Sequence, residues 1–499
     1  MSSGLIRAWF ELHPHLATEK GYPGLDERAP SFDQQEIERF CARLADIEGD
    51  GSLDGRLLAA LAGTVDFPYR RLKVLEHNPV FYLKAGLDAL ESLELRYDQP
   101  PWKAVLARLE GLTPLLAQAR AQLTTPQVPA VEVALEMAQE AIDHLGTAFG
   151  RAHAPERVAR AADEARRSVD HFAEWLDRRE QADFQPMGRE LFRDLLAAEH
   201  LLDDPLERWQ KLAQTTLEQA NRQLERVEHL PDPPPPSAEF GRAEILDYYR
   251  DELETVRRFV VESELVSVPE GTLHLVETPD YLEPLVPGAF YLEPALFAGD
   301  RTGRFFLPSI PDPLDEATRL RYARRIHWGG FRNLVVHEAY PGHHLQFLHA
   351  GLHFRPLRNL RDNDVMLEGW ALYCESLMEE AGLYPRRPFA PRLYAARMRA
   401  LRVLVDIGIH TGELSLEAAV DLMAEHLGDG ARGWIASEVR RYALEPSQAM
   451  SYLVGAQLIL ELREALAPQD LRSFHDQFLS FGPIPIPLIR QAMLTEAGL

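Results

Sequence analysis

Most of the chain repeats apolar residues at the spacing of an amphipathic helix. In the segments 32–47, 155–179 and 204–230, apolar side chains recur at i, i+3, i+4 and i+7 among Ala, Glu and Arg. The same pattern returns over 243–263, and it resumes from residue 314 to the end of the sequence. It predicts a mostly α protein built from helices packed on one another.

A short region before the last helices has a different pattern. The segments 271–294 and 303–310 are rich in β-branched and aromatic residues and are divided by Pro and Gly. Such segments are typical of short strands. We therefore expect one small β-sheet, at about 271–310, next to the helices that follow it.

The proline run PDPPPP, residues 231–236, marks the clearest boundary. Successive prolines remove backbone donors and exclude helix, so an extended spacer or a sharp boundary is expected there. It divides the chain into a helical N-terminal region, 1–235, and a catalytic region, 236–499, that contains the sheet and the candidate site.

Composition is that of a globular protein, and the charge argues against one class of partner. The net charge is −24, which argues against nucleic acid because phosphate binding needs clustered Lys and Arg. The two cysteines, Cys41 and Cys374, are too few for a disulfide framework. With no basic and apolar leader and no membrane-length apolar run, we expect a cytoplasmic protein without a membrane span. The sequence leaves the oligomeric state open.

Candidate chemistry is concentrated in VVHEAYPGHHLQF, residues 335–347. Zinc binds neutral His nitrogen and carboxylate oxygen, and a catalytic site has three protein ligands and one open position. In the usual helical pattern, His-Glu-x-x-His, the histidines lie one turn apart and the Glu activates water. Here the position four after His337 is Pro341, so the second ligand is expected to be His343 or His344.

Helical spacing ranks these two histidines. On an unbroken helix, i+7 returns to within about 20° of His337, whereas i+6 lies about 120° away. The spacing therefore favours His344. Pro341 removes a helical hydrogen bond, and together with Gly342 it can bulge the helix, which would deliver His343 instead. We take His344 as the predicted ligand and His343 as the alternative.

The third ligand is expected on another helix. The segment 364–383 has a strong helical pattern, and Glu368 lies 24 residues after His344, a gap that suits a loop and an antiparallel return helix. Glu375, at i+7 from Glu368, shares its face and is expected to accept an N–H from a histidine ligand. Glu338 is the predicted general base.

The order of these motifs resembles known families. His-Glu, then His, then a helical Glu 24 or 25 residues further on is similar to thimet oligopeptidase, angiotensin-converting enzyme and the thermostable carboxypeptidases. HEAYPGHHLQ followed by EGWALYCE looks like the bacterial domain-of-unknown-function family numbered 885, which is grouped with those peptidases. That likeness continues through 399–410, 438–464 and 474–490. It implies a large helical metallopeptidase-like fold, a bound zinc and a peptide substrate.

The resemblance brings two further catalytic candidates forward, Tyr452 and His410. Helical peptidases use Tyr and His donors to stabilise the oxyanion of amide hydrolysis, which implies that role here. Arg402 and Arg441 are candidates for binding a substrate carboxylate through paired hydrogen bonds, which would favour a carboxypeptidase or a dipeptidase. The basic segment 384–402 otherwise predicts a solvated helix face.

Three functions fit these observations. The first is a zinc-dependent peptide hydrolase, and the second is a metal-dependent amidohydrolase that acts on a non-peptide amide. The third is a non-catalytic, metal-stabilised helical binding protein whose acidic N-terminal helices recruit a partner. Both enzymes require Glu338 in a water-lined cleft, whereas the binding protein does not.

Overall fold

The protein is mostly α, as its apolar periodicity predicts. The computed structural model describes residues 2–45, 51–150, 152–227, 240–278, 289–327, 329–384 and 389–499. The helices up to residue 227 are α1 (Ser2–Leu12), α2 (Pro14–Glu19), α3 (Gln34–Ala45), α4 (Leu53–Asp66), α5 (Val74–His77), α6 (Pro79–Arg96), α7 (Trp102–Gln122), α8 (Val128–Ala148), α9 (Glu156–Asp177), α10 (Arg189–His200) and α11 (Leu206–Leu224).

The second half adds eleven α-helices and three strands among its described residues. The helices are α12 (Arg242–Ser263), α13 (Glu316–His327), α14 (Gly330–Glu338), α15 (His343–Leu352), α16 (Asp364–Ala381), α17 (Ala390–Thr411), α18 (Leu416–Leu427), α19 (Arg432–Leu444), α20 (Ser451–Leu466), α21 (Leu471–Ser480) and α22 (Ile486–Glu496). The strands are β1 (Thr272–Glu277), β2 (Phe290–Leu292) and β3 (Thr302–Leu307).

The four helices that the apolar pattern predicts are confirmed as α3, α9, α11 and α12. Helix α9 shows the reason most clearly, because its buried residues repeat at helical spacing and its charged residues lie on the opposite face. The buried residues are Val158, Ala159, Ala161, Ala162, Ala165, Val169, Phe172 and Leu176. This face packs against α7 and α8.

The predicted small sheet is also confirmed. β3 is its central strand, with β1 parallel on one side and β2 antiparallel on the other. Phe305 on β3 lies parallel to Phe331 of α14, with ring centroids 6.0 Å apart. The sheet therefore packs directly on the helix that carries the His-Glu pair. Part of the predicted strand region, 279–288, lies outside the described residues.

The two halves of the chain share one hydrophobic core. α11 and α10 pack on α17, and α8 packs on α19, so helices from before and after the proline run are in contact. A single cluster of buried residues joins both halves. The proline run and the predicted division into 1–235 and 236–499 fall within 228–239, outside the described residues, and that division stays a prediction.

A buried ion pair triad also links the two halves. Lys20, which follows α2, is 4% exposed. Its Nζ donates to Glu293 Oε1 and to Asp362 Oδ2, each at 2.7 Å. Glu293 follows β2 and Asp362 precedes α16, so this lysine ties an N-terminal helix to both the sheet and the helix that carries Glu368 and Glu375.

We expect Lys20→Met to lower the free energy of unfolding by about 3–5 kcal/mol, because it leaves two shielded carboxylates without their counter-charge. The measurement is chemical denaturation. Lys103→Met is the matched control, since Lys103 lies 2.8 Å from Glu27 but its side chain is 83% exposed. That change should cost below about 1 kcal/mol. Equal losses in the two variants would contradict this role for Lys20.

Candidate metal centre

The motif helix ends directly after its His-Glu pair. α14 stops at Glu338, Ala339 has the non-helical angles φ −116° and ψ −87°, and the next helix, α15, begins at His343. Pro341 has no N–H to bond the His337 carbonyl, and at Gly342 an added Cβ would lie 1.8 Å from that carbonyl oxygen. The histidines therefore belong to two helices, joined by a short break.

Contacts from α16 fix this break. The Trp370 indole N–H donates to the Pro341 carbonyl at 2.8 Å, and Cys374 Sγ contacts the same oxygen at 3.6 Å. Asn363 begins α16 by accepting a hydrogen bond from the Met366 N–H. As a result, α16 lies against the break and brings its acidic residues to the histidines.

Two histidines and one glutamate meet there. One ligand-type atom from each of His337, His343 and Glu368 lies within 4.8 Å of the others. Glu368 Oε2 is 3.3 Å from His337 Nε2 and 3.5 Å from His343 Nε2. The three side chains come from α14, α15 and α16.

This geometry fits a zinc ion. Ligands on a tetrahedral zinc, bound at about 2.0–2.1 Å, lie about 3.3 Å from one another, close to both Glu368 distances. Glu368 Oε2 is buried and, apart from its contacts with these two histidines, has no hydrogen-bond partner among the described residues, so a cation between the three side chains would satisfy it. Two imidazoles and one carboxylate are also a donor set that catalytic zinc uses.

A buried carboxylate orients the first histidine. Glu375, which is completely buried, accepts from His337 Nδ1 at 2.9 Å, from Asn333 Nδ2 at 2.9 Å and from Arg399 Nη2 at 3.1 Å. Because Glu375 holds the proton on Nδ1, it is Nε2 of His337 that faces Glu368 and His343 and that releases its proton when a cation binds. His343 has no such support, because its Nδ1 is buried without a partner among the described residues.

Charges in this cluster shift its pKa values. Burial alone would lower the pKa of His337, but the carboxylates of Glu368 and Glu375 outweigh it and raise that pKa to about 9. Burial would raise the pKa of Glu368, yet the two histidines hold it well below its usual range. The carboxylate of Glu368 is therefore ionised at neutral pH, as a metal ligand must be.

Glu338 lies beside the cluster at the last position of α14. Burial raises its pKa, while the charges of His337 and His343 act in the opposite direction. A carboxylate next to the cluster, with a pKa moved toward neutrality, has the properties of a general base.

His344, the predicted second ligand, lies outside the cluster, and this ranking is corrected. Its Nδ1 is 3.0 Å from the Tyr291 hydroxyl of β2, and its ring is completely buried. The i+7 argument assumed a continuous helix, but the chain leaves helical geometry between Glu338 and His343. The structure therefore brings the alternative, His343, to His337 and Glu368.

A close helix crossing places Tyr452 beside the cluster. α16 and α20 meet at Gly369 and Gly455, where a Cβ on Gly455 would lie 1.9 Å from the Val365 carbonyl oxygen, so only glycine permits this contact. The Tyr452 ring stacks on His337 with centroids 6.2 Å apart. Burial raises the pKa of its hydroxyl, which stays protonated and able to donate.

His410 lies away from this site, and its predicted role is corrected. Its Nε2 is 3.0 Å from the Tyr442 carbonyl oxygen, and its ring stacks on Phe192 of α10. Burial lowers its pKa to about 4. On α17 it follows Arg399, which contacts Glu375, by eleven residues, or about 16 Å of helix. At such a separation the ring is too far from the cluster to donate to an oxyanion that forms there.

Arg402 and Arg441 are already paired within the chain. Arg402 Nη2 donates to Glu438 at 3.0 Å and its Nε donates to the Tyr442 hydroxyl at 3.0 Å. Arg441 donates to the same Glu438 at 3.2 Å. Glu438 thus takes the place predicted for a substrate carboxylate.

Arg399 was not among the predicted site residues, and the prediction that 384–402 forms a solvated helix face is wrong for the described part of that segment. The Arg399 side chain is 16% exposed and donates to Glu375, and Arg392 pairs with Glu379. The sequence did contain a signal for these pairs: Glu375 and Glu379 lie one turn apart on α16, and Arg392 and Arg399 lie two turns apart on α17. Residues 385–388 lie outside the described residues.

The comparisons with known proteins agree with a whole-chain relationship. The family described as "Bacterial protein of unknown function (DUF885)" matches residues 14–493. No curated protein matches the chain. Within the part of the chain that the structure describes, no helix combines the length and apolarity needed to cross a membrane.

Two solved structures have a similar fold. One is a "putative lipoprotein of unknown function" from Shewanella oneidensis, with a TM-score of 0.75 and 22% identity over 99% of this chain and 98% of that one. The other is a "putative lipoprotein" from Colwellia psychrerythraea, with a TM-score of 0.76 and 18% identity over the same shares. At this identity the likeness shows the fold.

Proposed function

The chain belongs to the bacterial DUF885 family, whose function is unknown, and from this premise we propose that it is a zinc-dependent peptide hydrolase. The observation that carries the proposal is the cluster of His337, His343 and Glu368 with Glu338 beside it. Zinc, when bound, would supply Lewis-acid polarisation and lower the pKa of a coordinated water to about 7.

The residues of the chain would perform the remaining steps. Glu338 takes a proton from the attacking water and gives it to the nitrogen of the leaving amine. Glu375 holds His337 in the tautomer whose Nε2 faces the cluster. Tyr452, stacked on His337, is the nearer of the two predicted oxyanion donors.

The resemblance to helical zinc peptidases supports the choice of an amide bond as the target. Thimet oligopeptidase, angiotensin-converting enzyme and the thermostable carboxypeptidases share the order of histidines and helical glutamate. An intervening Pro-Gly break distinguishes this chain from the simple His-Glu-x-x-His pattern, yet it still brings two histidines to one glutamate. Exopeptidase action stays open, because the two arginines predicted to bind a substrate carboxylate are paired with Glu438 instead.

We expect the purified protein to carry about one zinc per chain, because three such ligands form one catalytic-type site. Elemental analysis measures this, and Glu368→Ala should lower the occupancy. A mixture of short peptides should be cleaved, and the activity should be lost with a chelator and restored by zinc. Undiminished zinc in Glu368→Ala would contradict the ligand set.

The substrate assay separates the alternatives. Hydrolysis of small amides without hydrolysis of peptides would indicate an amidohydrolase that acts on a non-peptide substrate. Bound zinc without either activity would indicate a metal-stabilised binding protein. We also propose a cytoplasmic location, which fractionation of cells tests. Recovery in the membrane fraction would contradict it and agree with the descriptions of the two solved relatives.

A further inference from the structure

Asp364 is a carboxylate without a counter-charge, one helical turn before Glu368 on α16. Residues four apart on a helix share a face, and their Cα atoms lie about 6 Å apart along its axis. The Asp364 side chain is partly exposed. Only burial and the charges of more distant groups act on it, and among the described residues it has no hydrogen bond or ion pair.

Helix capping does not explain this aspartate. Asn363 already caps α16, since its side chain accepts from the Met366 N–H. A carboxylate that served mainly to complement a helix N-terminus would have a lowered pKa. Burial instead raises the pKa of Asp364 to about 7, even though Arg361 acts against the shift.

The neighbouring charges are negative or already neutralised. Glu199, Glu368 and Glu445 all add to the rise in the pKa of Asp364. Arg361, the nearby cation, lies 3.7 Å from Glu199. The surroundings of Asp364 therefore contain more carboxylates than cations.

Glu445, which adds to the rise in the pKa of Asp364, also acts on a helix of the N-terminal half. On α6, the charges of Asp88 and, less strongly, Glu445 raise the pKa of Lys84, so this helix faces the end of α19. Lys84 Nζ forms an ion pair with Asp88 Oδ2 at 3.3 Å. Glu91 is partly exposed, and burial raises its pKa to about 7. Asp364 and Glu91 are thus both partly open to solvent.

A carboxylate that has no partner and lies among other carboxylates is unfavourable unless a cation is present, and such groups concentrate at binding sites. An extended peptide advances about 3.3 Å per residue, so Asp364 is within two residues of a bond held at Glu368. We propose that Asp364 is a specificity-determining residue that binds a cationic group of the substrate within two residues of the hydrolysed bond. This inference rests on the proposed peptide hydrolase.

The cation can be a Lys or Arg side chain or a free amino terminus, which share this chemistry. Binding is measured by calorimetry on the Glu338→Gln variant, with peptides of one length that carry lysine or norleucine, each with a free or an acetylated amino terminus. The peptide with lysine or with the free amino terminus should bind about tenfold more tightly than its neutral counterpart. The pair of peptides whose affinities differ identifies whether the cation is a side chain or the amino terminus.

Variants of Asp364 test whether this residue causes the preference for charged peptides. The preference should disappear when Asp364→Asn is added, persist with Asp364→Glu, and be unchanged by Asp247→Asn, whose side chain on α12 is 72% exposed. The Glu variant keeps the test decisive if Asn weakens the start of α16. Equal binding of charged and neutral peptides, or a preference that survives Asp364→Asn, would overturn the inference.

Cleavage by the otherwise wild-type protein separates this inference from the proposed function. Cleavage without a charge preference would overturn the role of Asp364 and leave the peptidase intact. Charge-selective binding that depends on Asp364, without cleavage of any peptide, would support Asp364 and overturn the peptidase. Absence of binding by every peptide would overturn both.

Discussion

Glu338→Gln is expected to bind zinc normally and to hydrolyse peptides at least about a hundredfold more slowly, the low end of what a general base contributes. Glutamine keeps the size of the side chain and one acceptor, but it cannot take a proton from water. Glu338 is not among the three clustered ligand residues, so the metal site should stay intact. The assay follows amine release from short peptides at equal zinc content.

A matched control makes this result specific. Glu254→Gln removes a carboxylate from α12, where its side chain is 64% exposed, and should leave turnover unchanged. Glu338→Asp keeps a proton acceptor and should recover part of the activity. Equal turnover by wild type and Glu338→Gln would remove Glu338 as the base.

The sequence predicted the class of the fold and most of its elements because helical periodicity is a local property. α9, α11 and α12 follow directly from the spacing of their apolar residues, and composition revealed the small sheet. What could not be predicted was which helices meet. The contact of α16 with α20 depends on Gly369 lying against Gly455, and these residues are distant in the sequence.

The same difference between local spacing and contacts of distant helices applies to the candidate site. Glu368 and Glu375 are two turns apart on one helix, and the gap that follows the histidines suits a return helix. The structure brings both residues to His337. His410 was predicted because it lies in a segment that resembles the family numbered 885 and because helical peptidases use His donors, but the structure places it away from the cluster, beside the Tyr442 carbonyl. Arg399 was missed because its partner, Glu375, lies on a different helix.

The break in the motif helix decides the second ligand, and this can be measured. We expect His343→Ala to lose its zinc and His344→Ala to keep about one per chain, because removing one of three ligands opens the site. His343 Nε2 is 3.5 Å from Glu368 Oε2, whereas His344 Nδ1 is 3.0 Å from the Tyr291 hydroxyl. Elemental analysis after gel filtration reads out both variants.

Both histidines are buried, so stability must be followed together with the metal. Removing either ring leaves a cavity, which lowers the free energy of unfolding in both variants for reasons unrelated to zinc. His343→Gln and His344→Gln fill more of that space and provide a second pair. Thermal unfolding with and without added zinc then separates the two effects, because an ion that binds only the folded chain raises its stability. Zinc should stabilise the His344 variants and leave the His343 variants unchanged. The reverse pattern would show that the chain keeps helical register through Pro341 and Gly342 and that His344 is the ligand.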